Sequence, residues 1–206
     1  MHRRTALSVS AALLVAAPLL SACSGQPRPG TAAVVGGERI TTSAVQAQVN
    51  DVRAAQNRSG QAAAALVAST PHLDRQKLDA IIQSRIIDKM ADTAGITATD
   101  KDIEDERRAM AEEQGGNDQL EALFLQKGAM SPGQIDRSLR SQVLFNKLVA
   151  KYGGKVEGPI QAAVKDLHIE VNPRYGAWDA AENRLGGAQP PWITQKTRTE
   201  QAPAGA

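Results

Sequence analysis

The segment "PHLDRQKLDAIIQSRIIDKMADTAGIT" constrains the fold more than any other stretch of this chain. Leu78, Ile81, Ile82, Ile86 and Met90 recur at spacings of three and four residues, the period of one helical face. Ile87, Ala91 and Ala94 widen that stripe, as expected of a helix packed on several neighbours at once. Gly95 stands where a left-handed C-cap belongs, and Ile96 is its usual apolar companion.

The neighbours are read in the same way. Thr42 or Ser43 caps an earlier helix, with Ser43 and Gln46 at capping-box spacing and Val45, Val49 and Val52 on one face. That helix fades near "NRSGQ". Thr99 caps a charged helix in which Ile103, Met110 and a few alanines are apolar. Glu104 and Arg108 stand at i,i+4 in it, and its charge run reads as a solvated face. Asn117 caps the next helix, which groups Leu120, Leu123 and Phe124 and stops at Gly128. Ser131, Pro132 and Gln134 make a cap, an N1 proline and a capping box for the last long helix. Its buried candidates are Ile135, Leu139, Val143, Leu144, Leu148 and Val149, and Gly153-Gly154 ends it. A short helix over Pro159 to Leu167 follows.

Two stretches depart from the helical pattern. Ala33 to Ile40 is a β-like run broken by Gly36-Gly37, which predicts a turn or bulge there. "IEVNPRYGAWD", Ile169 to Asp179, is strand-like with an Asn-Pro turn. Aromatic residues make up 3% of the chain, so Tyr175 and Trp178 so close together point to a structural purpose.

The N-terminal segment carries a processing signal. Arg3 and Arg4 precede an apolar run, Ala6 to Leu20, too short to span a bilayer and of the right length for a signal peptide. It ends in "LSAC", the bacterial lipobox pattern, which predicts cleavage before Cys23 and alkylation of its thiol by diacylglycerol. The expected location is the extracytoplasmic face of the cell membrane, held by that lipid. Cys23 is the only cysteine, so the chain has no partner for an internal disulfide. Loss of Met1 to Ala22 removes two of the 24 basic residues and leaves 22 against 22 acidic ones. A net charge of zero withdraws the electrostatic support for nucleic-acid binding. The expected organisation is a signal peptide over 1–22, a flexible tether over 23–32, a helical domain over 33–185 and a disordered tail over 186–206 that contains Trp192.

Three pieces in this order, "GGERIT" before the first helix, the joint from Ala91 to Asp100 ("ADTAGITATD"), and "VNPRYGAWD" from Val171, resemble the N-terminal region of the SurA/PrsA/trigger-factor-like extracytoplasmic chaperones. The resemblance implies a mainly α fold. It would be a chaperone arm of about five to six helices, with a small two-stranded element formed where the N- and C-terminal segments meet. It also implies a client, an unfolded exported protein. Relatives such as PrsA carry a parvulin prolyl-isomerase domain before the closing strand. Here about fifteen residues separate Gly153 from Ile169, enough for a loop and a short helix.

Catalytic patterns are absent from the sequence. Beyond the leader stand His72 and His168, far apart and without a clustered carboxylate or cysteine, and they read as surface or capping residues. There is no nucleophile elbow, phosphate loop or dinucleotide fingerprint. No cofactor, metal or enzymatic activity is expected. Reversible burial of apolar client segments is the better physical fit, and Met110, Phe124 and Met130 are the candidate client contacts, or else plain core residues. The rival reading is a lipoprotein adaptor that holds one folded envelope partner.

Overall fold

The computed structural model describes residues 29–187. Its centre is α3, Leu73–Ala94, as the breadth of its apolar stripe requires. Leu78 and Ile82 are fully buried, with Ile86 and Met90 nearly so. They pack among Ala33, Val35, Ile40, Val45, Leu144, Leu148, Val164 and Tyr175, drawn from strands and helices on several sides. Gly95 ends the helix at φ +66, and the Ile96 amide closes back on the Ala91 carbonyl at 2.9 Å.

Around α3 the order is β1 (Thr31–Val35), β2 (Glu38–Thr41), α1 (Thr42–Asn57), α2 (Ala63–Ala68), α3, α4 (Asp100–Gln114), α5 (Asn117–Lys127), α6 (Pro132–Lys151), α7 (Glu157–Leu167), β3 (Glu170–Val171), β4 (Trp178–Asp179) and β5 (Arg184–Leu185). The fold is mainly α, as expected. Seven α-helices stand among the described residues, beyond the expected five to six. The unexpected one, α2, is six alanine-rich residues with a single buried side chain, Leu66, too short for a periodic signal. Leu66 joins Val49, Val52, Ala55, Leu73, Leu125 and Ala129 in a second, smaller core.

The first and last segments do pair: β1 runs antiparallel to β3, Ala33 opposite Val171. The sheet differs from a two-stranded clasp, because the N-terminal segment supplies two strands and the order is β2-β1-β3. Gly36 and Gly37, at φ +60 and +79, make the tight reversal that lets β2 fold back on β1. A Cβ on Gly36 would sit 3.0 Å from Leu167 Cδ2, so the hairpin tip docks on the end of α7 through a position open to glycine. Thr31 and Ala32, expected in the tether, are buried strand residues.

Local details correct other expectations. Thr41, still extended, caps α1 by accepting from the Ala44 amide at 3.0 Å, which displaces the expected Thr42/Ser43 cap. Gly116 caps α5 and Asn117 is already helical. Arg108 pairs with Asp105 at 3.0 Å, one turn away, rather than with Glu104. His168 terminates α7 at φ +43 instead of starting a strand. Thr99 caps α4 as read, and the structure adds a capping box with Asp102; the capping box of α6 at Ser131 forms as read. Cys23 and Trp192 lie outside the described residues.

The C-terminal segment is laid along one flank of α3 by side chains four residues apart. Arg75 Nε donates to the Tyr175 carbonyl at 2.8 Å and its Nη2 to the Gly186 carbonyl at 2.6 Å. Asp79 accepts from the Leu185 amide at 2.8 Å, and Gln83 donates to the Asn183 carbonyl. Burial raises the Asp79 carboxyl above its ordinary range, opposed by the Leu185 amide and the charge of Arg184. Tyr175 and Trp178 fill the gap between this segment and the core. That is the purpose of the closing aromatic pair.

Candidate functional site

The opposite flank of α3 is open. Lys77, Ile81, Ser84 and Asp88, spaced four, three and four residues, form the floor of a groove of about 710 Å³. β2 and the first half of α1 make one wall through Arg39, Ile40, Thr41, Ala44 and Gln48. The first half of α6 makes the other through Gln134, Arg137, Ser138 and Ser141, and Met130 stands at the α5–α6 joint. Ala80, Ile81, Ile87 and Met130 give the lining its apolar content.

The charge on this lining is one-sided. Arg39, Lys77, Arg85, Arg137 and Arg140 face a single carboxylate, Asp88. Asp88 is taken by Arg140 at 2.5 Å, and Arg85 by Glu38 at the rim. Arg39, Lys77 and Arg137 have no carboxylate partner among the described residues. Such a trough focuses a positive potential between low-dielectric walls.

Lys77 is the unusual member. It is 5% exposed, and its Nζ donates to Gln134 Oε1 at 2.9 Å. An ammonium has three donors, and no second protein acceptor is in place among the described residues. Gln134 is held in turn: its Nε2 donates to the Gln48 carbonyl at 2.9 Å, which orients its oxygen toward Lys77. Burial disfavours the charged form and lowers the Lys77 pKa to about 8. The amine is still protonated at neutral pH, and poorly hydrated.

Of the residues singled out from sequence, the structure brings two together. Met130 lines the groove. Phe124 adjoins it: a Cβ on Gly128 would lie 2.7 Å from Met130 Cε and 3.7 Å from Phe124 Cδ1, so both side chains border that glycine. Met110 is half-buried on α4 and takes no part in the groove lining. Sequence reasoning missed Lys77. A lysine bordering an apolar stripe usually snorkels to water, and the contact that prevents this lies 57 residues away.

A second, more open depression lies between α4 and α5, ringed by Glu104, Arg107, Arg108 and Glu112. Its main cation is already satisfied, since Arg107 binds Glu121 at 2.9 Å and Asp136 at 2.6 Å. His72 occupies the N-cap position of α3 without a side-chain capping bond, and His168 Nδ1 lies 2.9 Å from the Asp166 carbonyl. Among the described residues no three His, Cys, Asp or Glu side chains gather as a metal site, and no helix is long and apolar enough to cross a membrane.

Residues 3–149 match the model of the SurA-like N-terminal domain. The chain belongs to the SurA-like N-terminal domain family. The match takes in the hairpin, α1 to α5 and all but the last two residues of α6. A SurA-like N-terminal domain is a chaperone-type domain, and a chaperone-related role follows at that level. In this SurA-like chain, α7 fills the stretch between α6 and β3. No curated protein and no solved structure matches the chain.

Proposed function

We propose that this SurA-like protein is a lipid-anchored holdase that binds unfolded exported chains at the extracytoplasmic face of the membrane, without isomerase chemistry. The groove along α3 carries the reading. It is long, open to solvent, partly apolar and built along one helix flanked by two others. An unfolded segment buries apolar area there at about 25 cal/mol per Å², against a large association cost, so weak and promiscuous binding results. The lipobox at Cys23 supports the anchor, which raises the local concentration of sites near emerging chains.

The test is suppression of aggregation of two unrelated, chemically unfolded proteins by the chain from Ser24 onward, with an inert protein as control. Protection of both clients supports the holdase. Protection of neither makes the adaptor the better reading, and one stable partner should then co-purify from membranes. The anchor has its own check. Mass spectrometry of the mature N-terminal peptide should show a diacylglycerol adduct on Cys23 that Cys23→Ala lacks, and equal lipid content in the two would refute it.

A further inference from the structure

We propose that the α3 groove selects extended segments that carry a carboxylate side chain beside apolar residues, with Lys77 Nζ as the anchor for the carboxylate. The proposal rests on the holdase reading only for the source of the segment, an unfolded chain.

Three observations carry it. The floor holds a cation that is 5% exposed, bound to one neutral oxygen and left with spare N–H donors. A carboxylate is the group that satisfies both the charge and those donors, through hydrogen bonds about twice as strong as neutral ones. Arg39 and Arg137, one on each wall and neither paired to a carboxylate among the described residues, extend the complementarity toward an acidic segment. Ile81, Ile87 and Met130 line the same trough, so the segment must also offer apolar side chains.

The dimensions agree with an extended occupant. The floor runs from Gln76 to Asp88, about 18 Å at 1.5 Å per residue. At about 3.3 Å per residue, five or six extended residues fill it. β2 is an edge strand, with β1 on one side and no strand on the other among the described residues. Val35 and Glu38 flank the two-residue turn, so Arg39, opposite Val34, is the next pair along. In an antiparallel ladder that next pair turns its amide and carbonyl outward. The Arg39 backbone is thereby placed to bond a peptide strand lying in the groove.

The test uses two fluorescently labelled eight-residue peptides with capped ends, rich in valine and leucine and identical except for one central aspartate or asparagine. Anisotropy at pH 7 should show the wild-type chain binding the aspartate peptide about tenfold more tightly. Lys77→Met should abolish the preference. Ala80→Glu should abolish it too, by placing an internal carboxylate one turn from Lys77 while keeping the lysine. Circular dichroism confirms that each variant is folded. Equal binding of the two peptides by wild type, or a preference that survives Lys77→Met, overturns the proposal. Its failure is separable from that of the holdase reading. Client protection without aspartate preference removes this proposal alone. Aspartate preference without client protection removes the holdase and keeps the groove.

Discussion

The two flanks of α3 solve the same problem in opposite ways. On one, Arg75, Asp79 and Gln83 project polar heads that the chain's own C-terminal backbone satisfies, donor against carbonyl and carboxylate against amide. On the other, Lys77, Ile81, Ser84 and Asp88 meet no such cover, and a cation remains desolvated with donors to spare. The chain can close a flank of this helix when it uses the flank for stability. Leaving the second flank open, with a buried charge in it, lowers stability, and such a compromise is expected where binding is the purpose.

Substitutions on and between the flanks separate their roles. The largest effect belongs to the core between the flanks. Ile82→Ala should lose about 2–5 kcal/mol in urea denaturation, since Ile82 is fully buried and its site is walled by other elements. An unchanged midpoint would mean that α3 is not the centre of the fold.

On the closed flank, Arg75→Ala should lose about 1–3 kcal/mol, because two carbonyls are left without their donor. Hydrogen exchange should then quicken over residues 175–186 and stay unchanged at the groove. Quickening at both would show the flanks to be coupled.

On the open flank the sign reverses. Lys77→Met should raise stability by about 1–2 kcal/mol at pH 7, since it removes a buried charge. The effect must depend on pH. Lys77 titrates at about 8 in the folded protein against 10.5 in the unfolded chain. Between those values the unfolded state binds more protons, so wild-type stability rises with pH and the gap to Lys77→Met narrows. Below about pH 8 both states are protonated and the full penalty stands. The groups facing Lys77 in the groove are Arg39, Arg85, Asp88, Arg137 and Arg140, and they are common to both proteins. A gap constant from pH 7 to 10 would contradict the assignment.

The smallest effect lies away from both flanks. Asp102 is held well below the ordinary carboxylate range, chiefly by the hydrogen bond from Lys147 at 2.8 Å and then by Thr99. The stability it adds is present above the unfolded carboxylate pKa and fades as pH falls through the lower folded value. The site is solvated, so Asp102→Asn should lower the melting temperature only slightly and leave both flanks as they are. A large loss would mean that the tie between α4 and α6 shapes the groove wall.

Features set by local chemistry are legible in the sequence alone. The period of Leu78, Ile82, Ile86 and Met90 made α3 central, Gly95 and Gly36-Gly37 marked reversals that need positive φ, and Ser131 with Gln134 started α6. Each signal spans a few residues, and its partner lies within one turn. The family and the mainly α fold were legible for the same reason. The groove was not. Gln134 read as a capping residue, and only the approach of α6 to α3 and α1 sets its oxygen against Lys77 and its amide against Gln48. Likewise, nothing within a few residues tells Arg75 from Lys77. One flank is covered by a segment a hundred positions downstream and the other is left bare. Burial of a charge is a property of what surrounds it, and that is decided by long-range packing.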